Sequence, residues 1–161
     1  MAESGQTPTS WRVEIDDEAG TRRLADELGD ALRPDDLVTL TGDLGAGKTA
    51  FARSVIRKLA EDPELEVPSP TFTLMQLYQG KDCAIVHADL YRLEDPEDLA
   101  QLGWEDAASG AIVMVEWADR AGDQLPPDRL DVAFSLALAR GPEARDVVIT
   151  AYGAFGARLE R

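Results

Sequence analysis

Residues Gly42-Asp43-Leu44-Gly45-Ala46-Gly47-Lys48-Thr49 match G-x-x-x-x-G-K-[ST] and sit directly between a short apolar run and an amphipathic stretch. Glycines at 42, 45 and 47 can take backbone angles closed to other residues, so successive N–H groups can converge on a polyphosphate at the positive end of the following helix. Lys48 would reach between the outer two phosphates. The Thr49 hydroxyl, in the first helical turn, would hold a magnesium ion bridging them. With Ala50 these positions make a continuous set of binding candidates. The rival reading, a glycine turn followed by a solvent-exposed lysine, leaves the complete match in its strand-to-helix setting unexplained.

Such a site needs a carboxylate at the end of a second strand and a group that orients the attacking water. Glu116 follows the apolar run 112–115 and suits a magnesium carboxylate, the alternative being an acid that only caps or pairs nearby. Asp89, at the end of another run, is the candidate for water or magnesium positioning. His87 lies one strand period away and points the same way, as a catalytic or supporting group or as a satisfied structural histidine. Trp117 either packs beside Glu116 or stacks on a base. In Ser69-Pro70-Thr71-Phe72-Thr73 two prolines at 68 and 70 stiffen a hydroxyl-bearing loop, a sensor of the outermost phosphate with Thr71 as the contact, or simply a rigid turn. Arg92 and Arg120, nearest the two acids, either support transferred charge or form salt bridges.

The elements that must position these groups follow from periodicity. A strand is expected over 11–15, a helix over 17–32, a buried strand over 37–41 and a helix from about Lys48, with Phe51, Val55, Ile56 and Leu59 on one face. Strands over 73–78 and 83–87 flank a hairpin turn at 79–82. A short helix over 95–102, a loop or helical turn over 103–110 and a central strand over 111–115 come next. Alternation over 130–136 and 147–153, around Gly141-Pro142, gives two edge or antiparallel strands. The expected fold is three-layer α/β, with a central mixed, mostly parallel sheet and antiparallel C-terminal strands. The chain of 161 residues suits one domain over 11–156, between a flexible tail at 1–10 and another at 157–161.

Asp and Glu number 31 against 16 Lys plus Arg, a net charge of -15, which argues against an independent grip on nucleic acid. A nest of N–H groups with one lysine still binds a polyanion inside an acidic surface. The three lysines, 48, 58 and 81, are outside any Asn-Lys-x-Asp motif, so adenine is favoured over guanine. The start lacks an export signal and no run nears the ~18 apolar residues of a membrane span, so a soluble, cytoplasmic protein is expected. Cys83 reads as a small buried hydrophobe. Residues 94–106 hold six acids and no base, either a solvated face or a docking surface for a basic partner.

Four ordered segments together carry a family resemblance: the G-x-L-G-A-G-K-T loop at 42–49, the S-P-T-F segment within 67–73, His87-Ala88-Asp89-Leu90-Tyr91-Arg92-Leu93, and Glu116-Trp117. With these the chain resembles the TsaE (YjeE) family, the ATPase component of bacterial tRNA threonylcarbamoyladenosine biosynthesis. The likeness covers nearly the whole chain and weakens in the tail. It implies a P-loop NTPase-like α/β fold with an unusual strand arrangement. It further implies magnesium-dependent ATP hydrolysis, slow without partners, and work with the TsaB and TsaD proteins, which modify adenosine 37 of tRNA. By motif, Lys48 and Thr49 would serve phosphate and magnesium, Glu116 magnesium, Asp89 hydrolysis, and 69–73 a switch-like loop. Two other classes compete. A small-molecule kinase would need an arginine-bearing lid, for which the acid-only run 94–106 is ill suited. A non-catalytic nucleotide-binding regulator would show only background hydrolysis with its partners present.

Overall fold

The computed structural model describes residues 8–159. Strand β1 (Thr9–Ile15) leads to helix α1 (Glu18–Ala31), strand β2 (Leu37–Thr41) and helix α2 (Lys48–Ala60). A hairpin of β3 (Met75–Gln79) and β4 (Ala84–Asp89) follows, then short helices α3 (Asp98–Gln101) and α4 (Trp104–Ala108). Strand β5 (Ile112–Glu116), a 3-10 turn (Ala118–Ala121), β6 (Arg129–Leu136), β7 (Arg145–Tyr152) and α5 (Ala154–Leu159) complete the order. α1 starts where the Asp17 carboxylate accepts the Gly20 N–H at 3.0 Å, satisfying one of the free donors of the first turn.

The strands form one sheet in the order β1-β7-β6-β2-β5-β4-β3. The central strands β6, β2, β5 and β4 run parallel, while β1/β7, β7/β6 and β3/β4 are antiparallel. The sheet is mixed, as expected, but half of its six pairings are antiparallel, because both flanks are hairpin-type additions to a parallel centre. On one face α1 and α2 cover Leu40, Ile85, Met114 and Leu130, with Phe51, Ala52, Val55 and Ile56 of α2 at zero exposure. On the other, Leu90, Leu99 and Trp104 cover Val86, Val113 and Val115. These two faces make the three layers. Burial of the four α2 side chains removes a continuous apolar stripe from water at ~25 cal/mol per Å², the main term anchoring the helix to the sheet.

Several boundaries differ from expectation for local reasons. β1 begins at Thr9, so residues 9 and 10 are paired strand and not tail; the rest of that tail, 1–7, lies outside the described residues. α5 runs to Leu159, past the expected start of the C-terminal tail, whose residues 160–161 also lie outside. β3 starts at Met75 instead of 73, because the Leu74 N–H turns back to the Pro70 carbonyl at 2.8 Å and Leu74 sits at φ 67. The helix expected over 95–102 contracts to Asp98–Gln101, since 95–98 closes as a turn through the Asp98 N–H and the Asp95 carbonyl. Of the two alternatives for the last strands, edge or antiparallel, the second holds: β6 and β7 pair antiparallel, and neither is an edge.

β2 has its crossover neighbours on both sides, β5 and β6, and the loop after β2 opens at the carboxyl ends of β2, β4 and β5. In open α/β sheets that crevice is where ligands bind. The Asp131 carboxylate clamps the β2 end by accepting the Thr39 and Thr41 hydroxyls at 2.8 and 2.7 Å.

Candidate functional site

The loop 42–47 turns from β2 into α2 through positive φ angles at Gly42 (144°), Gly45 (81°) and Gly47 (112°). Gly47 caps α2 without any side-chain hydrogen bond, so the first N–H groups of the helix are left for an external acceptor. Asp43, Leu44 and Gly45 are exposed and Ala46 is buried. Nothing stands within 4 Å of where a Gly45 Cβ would be, whereas a Gly42 Cβ would meet the Phe134 carbonyl oxygen at 2.7 Å. Gly42→Ala combines that clash with a strained φ, so we expect a loss of ~2 kcal/mol in urea unfolding; an unchanged midpoint and slope would show that the loop tolerates a side chain there.

Lys48 is 5 % exposed. Its ammonium donates to the Gly42 carbonyl and, at 3.4 Å, to that of Asp43, and lies 3.9 Å from the centroid of the Trp117 ring. Burial pushes its pKa below the ordinary value, against the opposing pull of Glu116, Asp89, Asp43 and Asp119. The lysine is thus folded back along the loop, beneath the indole. Trp117 itself adopts φ 59, a left-handed conformation uncommon for a bulky residue, and meets the Tyr91 ring edge-on at 5.0 Å.

Thr49, Glu116 and His87 form one hydrogen-bonded line. The Thr49 hydroxyl lies 2.9 and 3.1 Å from the two Glu116 oxygens, and His87 Nε2 lies 2.7 Å from Oε2. His87 and Glu116 are buried, and β4/β5 register sets Asp89 directly opposite Glu116. An ionised Glu116 only accepts, so the proton of this contact sits on His87 Nε2. His87 Nδ1 is buried without a hydrogen-bond partner. Both acids are the last residues of their strands, which run two residues (β4) and one residue (β5) past the ends expected at 87 and 115. Asp89 accepts the Tyr91 N–H at 3.0 Å through Oδ1 and the Ser69 hydroxyl at 3.3 Å through Oδ2. Ser69 in turn shares a 2.9 Å hydrogen bond with the Thr71 hydroxyl, tying the S-P-T-F loop to the strand-end acid.

The structure therefore brings together Lys48, Thr49, His87, Asp89, Glu116, Trp117, Ser69 and Thr71. The salt-bridge expectation for Arg92 and Arg120 fails among the described residues: their guanidiniums lie over the rings of Phe72 (4.4 Å) and Tyr91 (5.4 Å), because the exposed aromatics and not the acids are their neighbours. Sequence reasoning missed Arg145, whose Nε donates to the Ala46 carbonyl at 2.8 Å, and Arg53 and Arg57, which hold the carbonyls of Val67 and Leu65 and so lead the chain into Ser69. Their only sequence signal is a basic residue within a predicted helix (Arg53, Arg57) or just before a predicted strand (Arg145). Cys83 is half-buried, with its thiol pKa pushed up by burial. No cluster of three His, Cys, Asp or Glu side chains able to hold a metal occurs among the described residues, so a cation here would rely on Thr49, Glu116 and its own ligand. No helix among them is long and apolar enough to cross a membrane.

A mixed α/β sheet with a glycine loop entering a helix, facing two strand-end acids, defines the class. Residues 15–145 match the family described as "Threonylcarbamoyl adenosine biosynthesis protein TsaE", and the chain belongs to that family. The tRNA threonylcarbamoyladenosine biosynthesis protein TsaE of Rickettsia felis is 40% identical over 118 residues, 73% of this chain and 68% of that one. Its namesake in Bacillus subtilis is 35% identical over 144 residues, 89% and 85% of the two chains. The crystal structure of Bacillus subtilis YdiB superposes with a TM-score of 0.76 at 25% identity, covering 97% of this chain and 95% of that chain.

Proposed function

We propose that this chain is a magnesium-dependent ATPase that supports threonylcarbamoyl modification of adenosine 37 in tRNA, cycling with TsaB and TsaD. The reading is carried by one observation, the Thr49–Glu116–His87 line at the uncapped start of α2. The names of the relatives support the tRNA pathway, and the family likeness supports the partners. The donor set fits the cation, since a hydroxyl and a carboxylate are the hard oxygen ligands that magnesium takes, the remaining positions going to phosphate and water.

The residues divide the work. Free N–H groups of the loop and of the first α2 turn receive phosphate oxygens, and Lys48 leaves the Gly42 carbonyl to meet the outer ones. Thr49 and Glu116 hold magnesium, which when bound offsets phosphate charge that builds during transfer. His87 keeps the Glu116 carboxylate turned toward Thr49. Asp89 has lone pairs left after its two hydrogen bonds and orients the attacking water. Thr71, linked to Asp89 through Ser69, senses the outermost phosphate. Asp43, Leu44, Ala46, Ala50 and Trp117 line the nucleotide around this core.

Steady-state hydrolysis by the chain alone and with TsaB and TsaD tests the proposal. Slow magnesium-dependent turnover that rises when the partners are added is expected. Turnover that stays at background under both conditions would leave a nucleotide-binding regulator instead.

A further inference from the structure

We propose that Arg145 is a positioning residue for the glycine-rich loop, holding the Ala46–Gly47 peptide so that the Gly47 N–H faces a bound phosphate. The inference rests on the nucleotide reading above and adds to it a residue outside the four motifs. Arg145 opens β7, 99 positions from the carbonyl it grips. Its Nε donates to the Ala46 oxygen at 2.8 Å, while Nη1 donates to the carbonyls of Pro142 and Ala144, both at 2.9 Å. One guanidinium thus ties the turn between β6 and β7 to the loop. Its own backbone is fixed on both sides, paired with Ile15 of β1 and Leu136 of β6, and its carbonyl accepts from Arg140 at 3.0 Å. The antiparallel flank of the sheet is in this way anchored to the site.

The consequence follows from peptide geometry. No peptide bond of the described residues is cis, and across a planar trans peptide the C=O and the N–H point in opposite directions. Drawing the Ala46 oxygen toward β7 turns the Gly47 N–H away from β7, to the open side of the loop, where it joins the free donors of α2. Gly47, at φ 112 and without a side chain, offers little resistance to the opposite orientation of this peptide. In that orientation the Ala46 oxygen would face the anion and repel it. The Arg145 hydrogen bond selects between the two. Charge is a separate matter: the same guanidinium lies 3.8 Å from where a Gly47 Cβ would be, so it also places a positive group under the loop of an acidic chain.

The full chain, isotope-labelled, is titrated with ADP as wild type, Arg145→Ala and Arg145→Lys, with calorimetry for affinity and the Gly47 amide resonance for geometry. Wild type is expected to bind with a downfield shift of that amide. Both variants are expected to lose roughly tenfold in affinity, one charge-assisted hydrogen bond's worth, and to lose the shift, because lysine keeps the charge but cannot hold three carbonyls in a fork. Wild-type affinity in Arg145→Lys with a loss confined to Arg145→Ala would reduce the role to charge and overturn the proposal. Wild-type affinity and shift in both would overturn it as well. Thermal melting accompanies each variant; if Arg145→Ala does not fold, Arg145→Lys decides on the same two readouts. A wild type that binds no ADP would instead overturn the nucleotide reading itself, and this inference with it.

Discussion

Lys48→Ala is expected to weaken ATP binding by about a hundredfold, equivalent to ~3 kcal/mol, through loss of a charge-assisted phosphate contact. The size of the effect follows from where the ammonium is held. In the structure it is buried, donates to the Gly42 and Asp43 carbonyls and lies against the Trp117 ring, all neutral groups. Its charge is attracted by four acids but paired with none at contact distance. Such a desolvated cation gains most when an anion arrives, and although the variant loses the two hydrogen bonds to the Gly42 and Asp43 carbonyls, the Arg145 hydrogen bond to Ala46 still ties the loop to the sheet. Folding should therefore survive while affinity falls. Calorimetric titration with ATP, alongside thermal melting, checks both halves; a folded variant with unaltered affinity would remove Lys48 from the binding set.

The second large effect belongs to Glu116. Glu116→Gln should cut magnesium-dependent turnover by roughly a hundred- to a thousandfold, the scale seen when a group that stabilises transfer charge is lost. Binding of ATP without magnesium should change only a few-fold. Glutamine is chosen because its carbonyl can still accept from His87 and Thr49, whereas alanine would leave a second buried histidine nitrogen unpartnered beside Nδ1. Measured kcat and the magnesium concentration giving half-maximal rate report the change. A magnesium dependence identical to wild type would sink the assignment.

Much of this site is legible in the sequence because its chemistry is local. The glycine-rich loop is eight consecutive residues bounded by a five-residue strand and a helix whose apolar face repeats every three to four positions, so motif and setting point the same way. Asp89 and Glu116 were findable for a similar reason: each ends an apolar run, and two parallel strands bring their carboxyl ends to one edge. What was not legible depends on contacts between distant segments. Arg145 looks like any basic residue before a strand until the pairing of β7 with both β1 and β6 brings it under Ala46. Arg92 and Arg120 lie close in sequence to acids, but the fold turns them onto Phe72 and Tyr91. The even balance of parallel and antiparallel pairing was hidden too, since an alternating strand reads the same whichever way its neighbour runs.

The acidity of the chain is compatible with this account. In the proposed reading phosphate would be met by backbone N–H groups and Lys48 at one helix end, which asks for no basic surface from a chain whose net charge is -15 and makes no demand for direct contact with RNA. On this view the chain acts on tRNA only through its partners and its nucleotide cycle. The most direct measurement is reconstitution of threonylcarbamoyl-modified tRNA with TsaB, TsaD, an activated threonylcarbamoyl donor, ATP and magnesium, with this chain present, absent, or replaced by Lys48→Ala. Multiple rounds of modification only with the wild-type chain are the predicted result. Equal yields of modified tRNA in all three would contradict the account.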